Sequence, residues 1–312
     1  MDEQRITAYV QLIQRLLQCS TWEEVQILIN DNYELLDPGF LQTIIVAAKQ
    51  FDENGNQNAT NFLTNQALQL GKFLGSDQQE TIIRKQTVDI LFKWGSDQFN
   101  ISRFVLALEC SQQCLSIYQA IQDRQGEANA LGSLGNAYDS LGQYELAITF
   151  HKQHLVISRE IKDREGEANS LGGLGNAYRS LGEYERSITF HEQSLAIKRE
   201  IKDRQGEAAS LGGLGNAYYF LGEYERAITF HEQSLAISRE IGYRQGEAKA
   251  LGNLGCAYYS LGEYERAITF HEQYLTISRE IKFRLGEANA LGNLGAAYLS
   301  LGEYERAITF HE

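Results

Sequence analysis

The chain has 312 residues, 43% of them hydrophobic, which is enough for one elongated array or two ordinary domains. Its formal net charge of −13 argues against nucleic acid and anionic membrane surfaces, both of which are held mainly by clustered Lys and Arg. No stretch approaches the ~20 apolar residues of a membrane helix, and MDEQRITAYV lacks the basic-then-apolar layout of a secretory signal. Four scattered cysteines (Cys19, Cys110, Cys114, Cys256) are too few for a disulfide scaffold, so the expectation is a cytoplasmic protein with reduced thiols. Pro38 is the single proline and the 28 glycines are regularly placed, which predicts helices joined by glycine turns.

Residues 1–75 share no period with the rest and form an N-terminal helical module. Apolar spacing predicts helices over 3–18, 22–30, 38–53 and 57–74. Ser20-Thr21-Trp22-Glu23 has capping-box spacing, and Asp37-Pro38 reads as an N-cap followed by a first-turn proline. Residues 76–125 read as one diverged repeat. Its first helix carries Ile82, Ile83, Val88, Ile90, Leu91 and Trp94 on an apolar face, and its second runs over 101–122 to Asp123-Arg124.

From Gly126 the sequence restarts every 40 residues, at Gly166, Gly206, Gly246 and Gly286, giving four full repeats and a truncated fifth over 126–312. Blocks 206–245 and 246–285 agree at 30 of 40 positions, which duplication explains and chance does not. Within a block, Ala208, Leu211, Leu214, Ala217, Tyr218 and Leu221 recur at helical spacing, and Gly222 supplies a C-terminal stop. A second helix begins near Tyr224 with Ala227, Ile228, Phe230, His231, Leu235 and Ile237 on its apolar side. Neither helix can hide its apolar face alone, so adjacent repeats must stack into an all-α solenoid.

The run LGxLGNAYxxLGEYERAITFHEQSL, with its small–large–small pattern, closely resembles the tetratricopeptide repeat. The 40-residue unit, with LGNAY, a His-containing second helix and a DR link as at Asp163-Arg164, is similar to the Pins/LGN-type adaptors. The resemblance covers about 126–312 and implies a right-handed superhelix whose first helices line a concave groove for peptides. Residues 1–75 resemble helical segments that precede repeats in bacterial multi-repeat proteins, some of which end in protease-like effector domains.

Comparing repeats separates what the scaffold needs from what varies. Sites equivalent to Leu211, Gly212, Leu214, Gly215, Ala217 and Tyr218 are the same in all five blocks. The variable sites fall on one helical stripe. It reads Asn129, Ser133, Asn136, Asp139, then Asn169, Gly173, Asn176, Arg179, then Ala209, Gly213, Asn216, Tyr219, Phe220. It continues as Lys249, Asn253, Cys256, Tyr259 and as Asn289, Asn293, Ala296, Leu299. A solvated face also varies, but it fills with Lys and Glu, whereas amides and tyrosines suit a peptide backbone and its side chains. Asn129, Asn136, Asp139, Asn169, Asn176, Arg179, Asn216, Tyr219, Phe220, Lys249, Asn253, Tyr259, Asn289 and Asn293 are therefore the expected peptide-binding groove. The Gly215-type glycine is expected to let the two helices of a repeat approach, and the Gly212-type glycine to lower the groove floor. The adaptors present arginines to acidic peptides; here those sites are mainly Asn, so an acidic ligand is not indicated.

The expected function is a scaffold that binds a protein or peptide, with no enzymatic activity and no cofactor. The alternative is a regulatory or sensor arm controlling an effector domain in a longer parent or a partner. His151, His191, His231, His271 and His311 recur once per repeat and suggest a metal ladder. Helices in contact lie ~8–10 Å apart, which rules out sharing an ion at the ~2 Å distance zinc needs, so these are packing residues. Cys110 and Cys114 share a helix face without further ligands nearby, and Cys256 is expected at the groove. The Glu223–Arg226 run reads as a solvated start of the second helix. The chain stops at Glu312, within a second helix. Uncovered Leu291, Leu294 and Tyr298 then point to a fragment of a longer protein, or to self-association through the uncapped C-terminal repeat.

Overall fold

The computed structural model describes residues 3–76 and 79–311, the side chain of His311 excepted. Among the described residues there are sixteen α-helices, one 3-10 turn and no strand. Two compact units result, residues 1–146 and 147–312.

The N-terminal unit comprises α1 (Glu3–Leu16), α2 (Trp22–Asp31), a 3-10 turn (Tyr33–Leu35), α3 (Pro38–Glu53), α4 (Gln57–Leu74), α5 (Thr81–Asn100), α6 (Phe104–Ala120) and α7 (Arg124–Ser140). Asp37 caps α3 by accepting from Phe40 N at 2.9 Å, ahead of Pro38. The same carboxylate accepts from Arg5 Nη2 at 2.6 Å and from the Tyr9 hydroxyl at 2.7 Å, so one cap also anchors α1. The α2 cap differs from the expected register. Thr21, not Ser20, is the N-cap, and its reciprocal partner is Glu24. Glu24 wins because it stands three residues after Thr21, and Ser20 N donates to it as well, at 2.7 Å.

In the diverged repeat α5 and α6 pack as a pair. Val88, Leu91 and Trp94 are buried as expected, whereas Ile82 is 68% exposed because it lies in the first turn, beyond the reach of α6. The second helix is also shorter than 101–122. Ser102, with φ of +63°, ends the turn before Phe104, and Gln122, at +59°, follows the last turn.

The C-terminal unit takes in α8 (Tyr144–Glu160) from residue 147 onward. It continues with α9 (Arg164–Ser180), α10 (Tyr184–Glu200), α11 (Arg204–Phe220), α12 (Tyr224–Glu240), α13 (Arg244–Ser260), α14 (Tyr264–Glu280), α15 (Arg284–Ser300) and α16 (Tyr304–His311). From α9 to α16 the helices pair in sequence order, and the odd-numbered helices also touch one another, α9 to α11, α11 to α13 and α13 to α15. This is an α-solenoid of helix pairs: the odd helices are the first, or A, helices of each repeat and the even ones the second, or B, helices.

Each A helix stops where Gly222 and its equivalents take a left-handed φ, +84° at Gly222. The B-to-A link uses the same device with other residues, since Lys162, Lys202 and Lys282 adopt φ of +59°, +59° and +57°. A left-handed lysine costs about 1 kcal/mol, which is offset by the backbone bonds that close the turn, such as Asp203 N to Lys198 O at 2.9 Å. Asp163 and Asp203 cap α9 and α11 by accepting from Gly166 N at 2.9 Å and Gly206 N at 2.8 Å. The expected core of a repeat is buried, from Ala208, Leu211, Leu214, Ala217 and Tyr218 to Ala227, Ile228, Leu235 and Ile237. At the last repeat, Leu294 and Tyr298 are 0% and 7% exposed, because they face other helices of the unit; of the three, only Leu291 is half-buried.

Candidate functional site

The variable stripe lies along the A helices, and the structure sorts its members into three kinds. Asn169, Asn176, Lys249 and Asn289 are exposed. Arg179, Asn216, Tyr219, Asn253, Cys256, Tyr259 and Asn293 are half-buried because they contact the stripe of the next or previous repeat. Asn253 Nδ2 donates to Asn216 Oδ1 at 3.0 Å, and Asn293 Nδ2 to Cys256 Sγ at 3.7 Å. The Tyr219 and Tyr259 hydroxyls pair with Ser260 Oγ at 3.0 Å and Ser300 Oγ at 2.9 Å. Phe220, 51% exposed, stacks on Tyr184 at 5.9 Å with the Arg179 guanidinium 5.7 Å from its ring centroid. The result is an amide column beside an aromatic column, tied across repeats by side-chain hydrogen bonds.

One stripe position departs from the groove reading. A Cβ at Gly173 would stand 2.4 Å from the His151 ring, and one at Gly213 would stand 2.4 Å from the His191 ring. These two glycines therefore pack against the preceding repeat, with no side chain to offer a ligand. At the same position Asn253 and Asn293 turn their amides toward Asn216 and Cys256.

The two invariant glycines differ as well. A Cβ on Gly215 would meet the His231 ring at 2.5 Å, so this glycine admits the B helix. A Cβ on Gly172 or Gly212 meets only a serine Oγ at 3.7 Å, and one on Gly292 meets nothing within 4 Å. Gly252 is the exception, with the Tyr274 ring at 2.9 Å. At three of these four repeats the position thus has room for a methyl group, and it opens onto free space at Gly292, whereas Gly172 and Gly212 are half-buried.

In the N-terminal unit, Asn129 and Asn136 are exposed on α7 and Asp139 is half-buried. Asn136 and Ser133 line a cavity of about 180 Å³ with Phe92, Phe99 and Asn100 of α5. That repeats, on a smaller scale, the pairing of amides with aromatic rings.

The periodic histidines are packing groups. Burial in an apolar wedge drives His151, His191, His231 and His271 down to about 4, so they are neutral imidazoles near neutrality. His311 belongs to the same series, but its side chain lies outside the described residues. Burial raises the Cys110 thiol to about 12 and the Cys114 thiol further still, which removes the thiolate that nucleophilic or metal chemistry requires. Among the described residues no group of three or more His, Cys, Asp or Glu is arranged to hold a metal ion.

Two networks escaped the sequence reading. The Glu223–Arg226 run is not merely solvated. Arg226 pairs with Glu223 at 2.6 Å, donates to the Tyr218 hydroxyl at 2.5 Å and lies 3.8 Å over the Tyr218 ring, which in turn stacks on Phe230 at 5.3 Å. At the starts of α9, α11 and α13 a nearly buried glutamate, Glu167, Glu207 or Glu247, holds two arginines. Glu207, 6% exposed, accepts from Arg199 Nε of the preceding repeat at 2.8 Å and from Arg204 Nη1 at 2.5 Å, and Arg204 reaches on to Glu240 at 2.5 Å. Burial pushes the Glu207 carboxyl upward, but the two arginines outweigh it and hold the group below the usual carboxylate range. The invariance of Glu207, Arg199 and Arg204 between repeats was the available signal; their pairing across a junction was not.

The geometry defines a class of protein, an all-α helical-repeat module. The chain belongs to the tetratricopeptide repeat family, whose profile matches residues 87–160, 141–200, 166–240, 206–280 and 248–312. These matches do not extend to the narrower Pins/LGN grouping. No curated protein matches the sequence. Among solved structures, the chain is similar to a Rap protein complexed with competence and sporulation factor, at TM-score 0.64 and 14% identity over 98% of this chain and 94% of that one. It is similar to BtubC of P. vanneervenii at TM-score 0.58 and 20% identity, over 66% of this chain and 87% of that one. A third likeness is to a STAND signal-transduction ATPase with a tetratricopeptide repeat sensor from Pyrococcus horikoshii. Its TM-score is 0.60 at 16% identity, and it covers 99% of this chain but only 46% of that one. Likeness at these identities establishes the fold. No described helix is long and apolar enough to cross a membrane.

Proposed function

We propose that the A-helix face of the C-terminal unit takes an extended segment of a partner protein. Exposed amides at Asn169 and Asn176, with Asn216 beside them, are suited to pair with a peptide backbone. Phe220, Tyr219 and Tyr259 offer surface for its side chains. The observation that carries the reading is the room at Gly172, Gly212 and Gly292, where no neighbouring side chain comes closer than 3.7 Å to the place a Cβ would take, since a peptide main chain needs close approach. A net charge of −13 disfavours nucleic acid as the ligand and an acidic segment as the partner. The setting that suits the buried reduced thiols is the cytoplasm.

The test is site-specific photocrosslinking on the full chain in its host cell. A crosslinker at Asn176 or Phe220 is expected to capture a partner polypeptide that one at Thr229, exposed on α12, does not. Equal capture from both positions, or capture only from Thr229, overturns the assignment. Asn176→Ala with Asn216→Ala is expected to weaken the complex by about 1–3 kcal/mol in sum, with helicity unchanged.

A further inference from the structure

The N-terminal unit holds a cavity that the repeat face does not use. It measures about 250 Å³ and lies among α1, α2, the 3-10 turn, α3 and α4. Its deep wall belongs to the best-buried part of the chain, for Leu16, Phe40 and Ile44 are each 1% exposed. Tyr33 and Phe73, edge to face at 5.8 Å, stand on its lining, and Tyr33 is 57% exposed. The cavity therefore runs from a wet aromatic rim into the hydrophobic core.

One lining residue is chemically out of place. Gln66 is only 6% exposed, yet among the described residues no group donates to or accepts from its side-chain amide. Thr60, buried on the same helix, shows what the fold ordinarily does: its hydroxyl donates to Asn56 O at 2.9 Å. A primary amide has two donors and an acceptor to satisfy, and leaving them unmet in an apolar site is destabilising. Gln66 lines the open volume, from which a partner for its amide can come. The other amides on the lining, Asn30 and Gln69, are exposed at the mouth.

The remaining walls set the chemistry of the occupant. The lining contains no Lys, Arg, His, Asp or Glu, so an ionised head group would be desolvated without a counter-charge. At roughly 30 Å³ for each water-sized group, the cavity holds about eight non-hydrogen atoms. We propose that it is a binding site for a small, neutral, mainly apolar molecule whose single hydroxyl, carbonyl or amide group pairs with Gln66.

The test uses n-heptanol, which has the required size and one neutral polar end, and its ionised counterpart heptanoate. Saturation-transfer NMR on the full chain is expected to show n-heptanol bound, with Overhauser contacts from its alkyl chain to Phe40 and Ile44. Heptanoate is expected to bind at least about tenfold more weakly. Gln66→Leu keeps the wall's size and should weaken n-heptanol about fivefold, whereas Leu70→Trp should fill the cavity and abolish binding. If Leu70→Trp does not fold, the Gln66→Leu comparison decides alone. No saturation transfer, equal binding by wild type and Gln66→Leu, or heptanoate binding as tightly as n-heptanol would each overturn the proposal.

Discussion

Alanine at Gly212 and alanine at Gly215 should have opposite effects on stability, although the two positions are three residues apart on the same helix. Helix propensity favours both replacements by about 1 kcal/mol. At Gly212 the new methyl would sit 3.7 Å from Ser234 Oγ, an ordinary contact, so the propensity gain stands alone. At Gly215 it would sit 2.5 Å from His231 Cε1 and 2.6 Å from Nδ1, about 1 Å inside the ~3.5 Å of a relaxed contact. The ring is 1% exposed and cannot swing into solvent, so the helix pair must spread, at a typical overpacking cost of about 1–3 kcal/mol. Gly212→Ala should therefore be stabilising, and Gly215→Ala less stable than it by about 1–3 kcal/mol. The assay is urea unfolding followed by far-UV circular dichroism. It should be read as midpoint shifts, because repeat arrays need not unfold in one step. Combining Gly215→Ala with His231→Ala should recover much of the difference, since the clashing ring is gone. Equal midpoints for the two single variants, or no coupling in the double variant, would refute the packing argument.

Three further outcomes follow from the charged and titratable groups. The buried histidines titrate near 4 in the folded chain against 6.5 ordinarily, so the unfolded state binds protons first as pH falls. Stability should be full above about pH 6.5 and decline toward pH 4, by on the order of 2 kcal/mol per histidine, in melts run across that range; His231→Phe should flatten the slope. Glu207→Ala should cost about 1–2 kcal/mol in urea unfolding, with the loss shrinking in salt, because its arginine partners are 53% and 41% exposed. Lys198, 6% exposed along its side chain, pairs with Asp203 at 2.7 Å, and Asp203 also caps α11. Asp203→Ala should thus destabilise by about 3 kcal/mol, and Lys198→Ser, which restores the residue of the neighbouring repeats, by clearly less in the same melts.

The sequence by itself determined what depends on short spacing. The 40-residue period, the stop at Gly222 and the Asp37-Pro38 start are each set by a few adjacent residues and their backbone preferences, and all stand in the structure. The variable stripe was also legible, because five copies of one helix in a single chain reveal which positions change from repeat to repeat. What the sequence could not decide is where each position points once repeats dock. Gly212 and Gly213 are neighbours in the chain, yet a Cβ on one would make an ordinary contact with Ser234 of the same repeat and a Cβ on the other would clash with the His191 ring of the preceding repeat, a difference that docking alone decides. The hydrogen bonds that knit the stripe join residues 37 and 41 apart, Asn253 to Asn216 and Tyr219 to Ser260, and no local pattern announces them. The unmet amide of Gln66 is likewise invisible in a helix that reads as ordinary amphipathic sequence. Its isolation arises only because α1, α2, α3 and α4 close around it and leave a space that none of their side chains fills. Local propensity writes the elements; the distances between side chains on different elements belong to the packed fold alone.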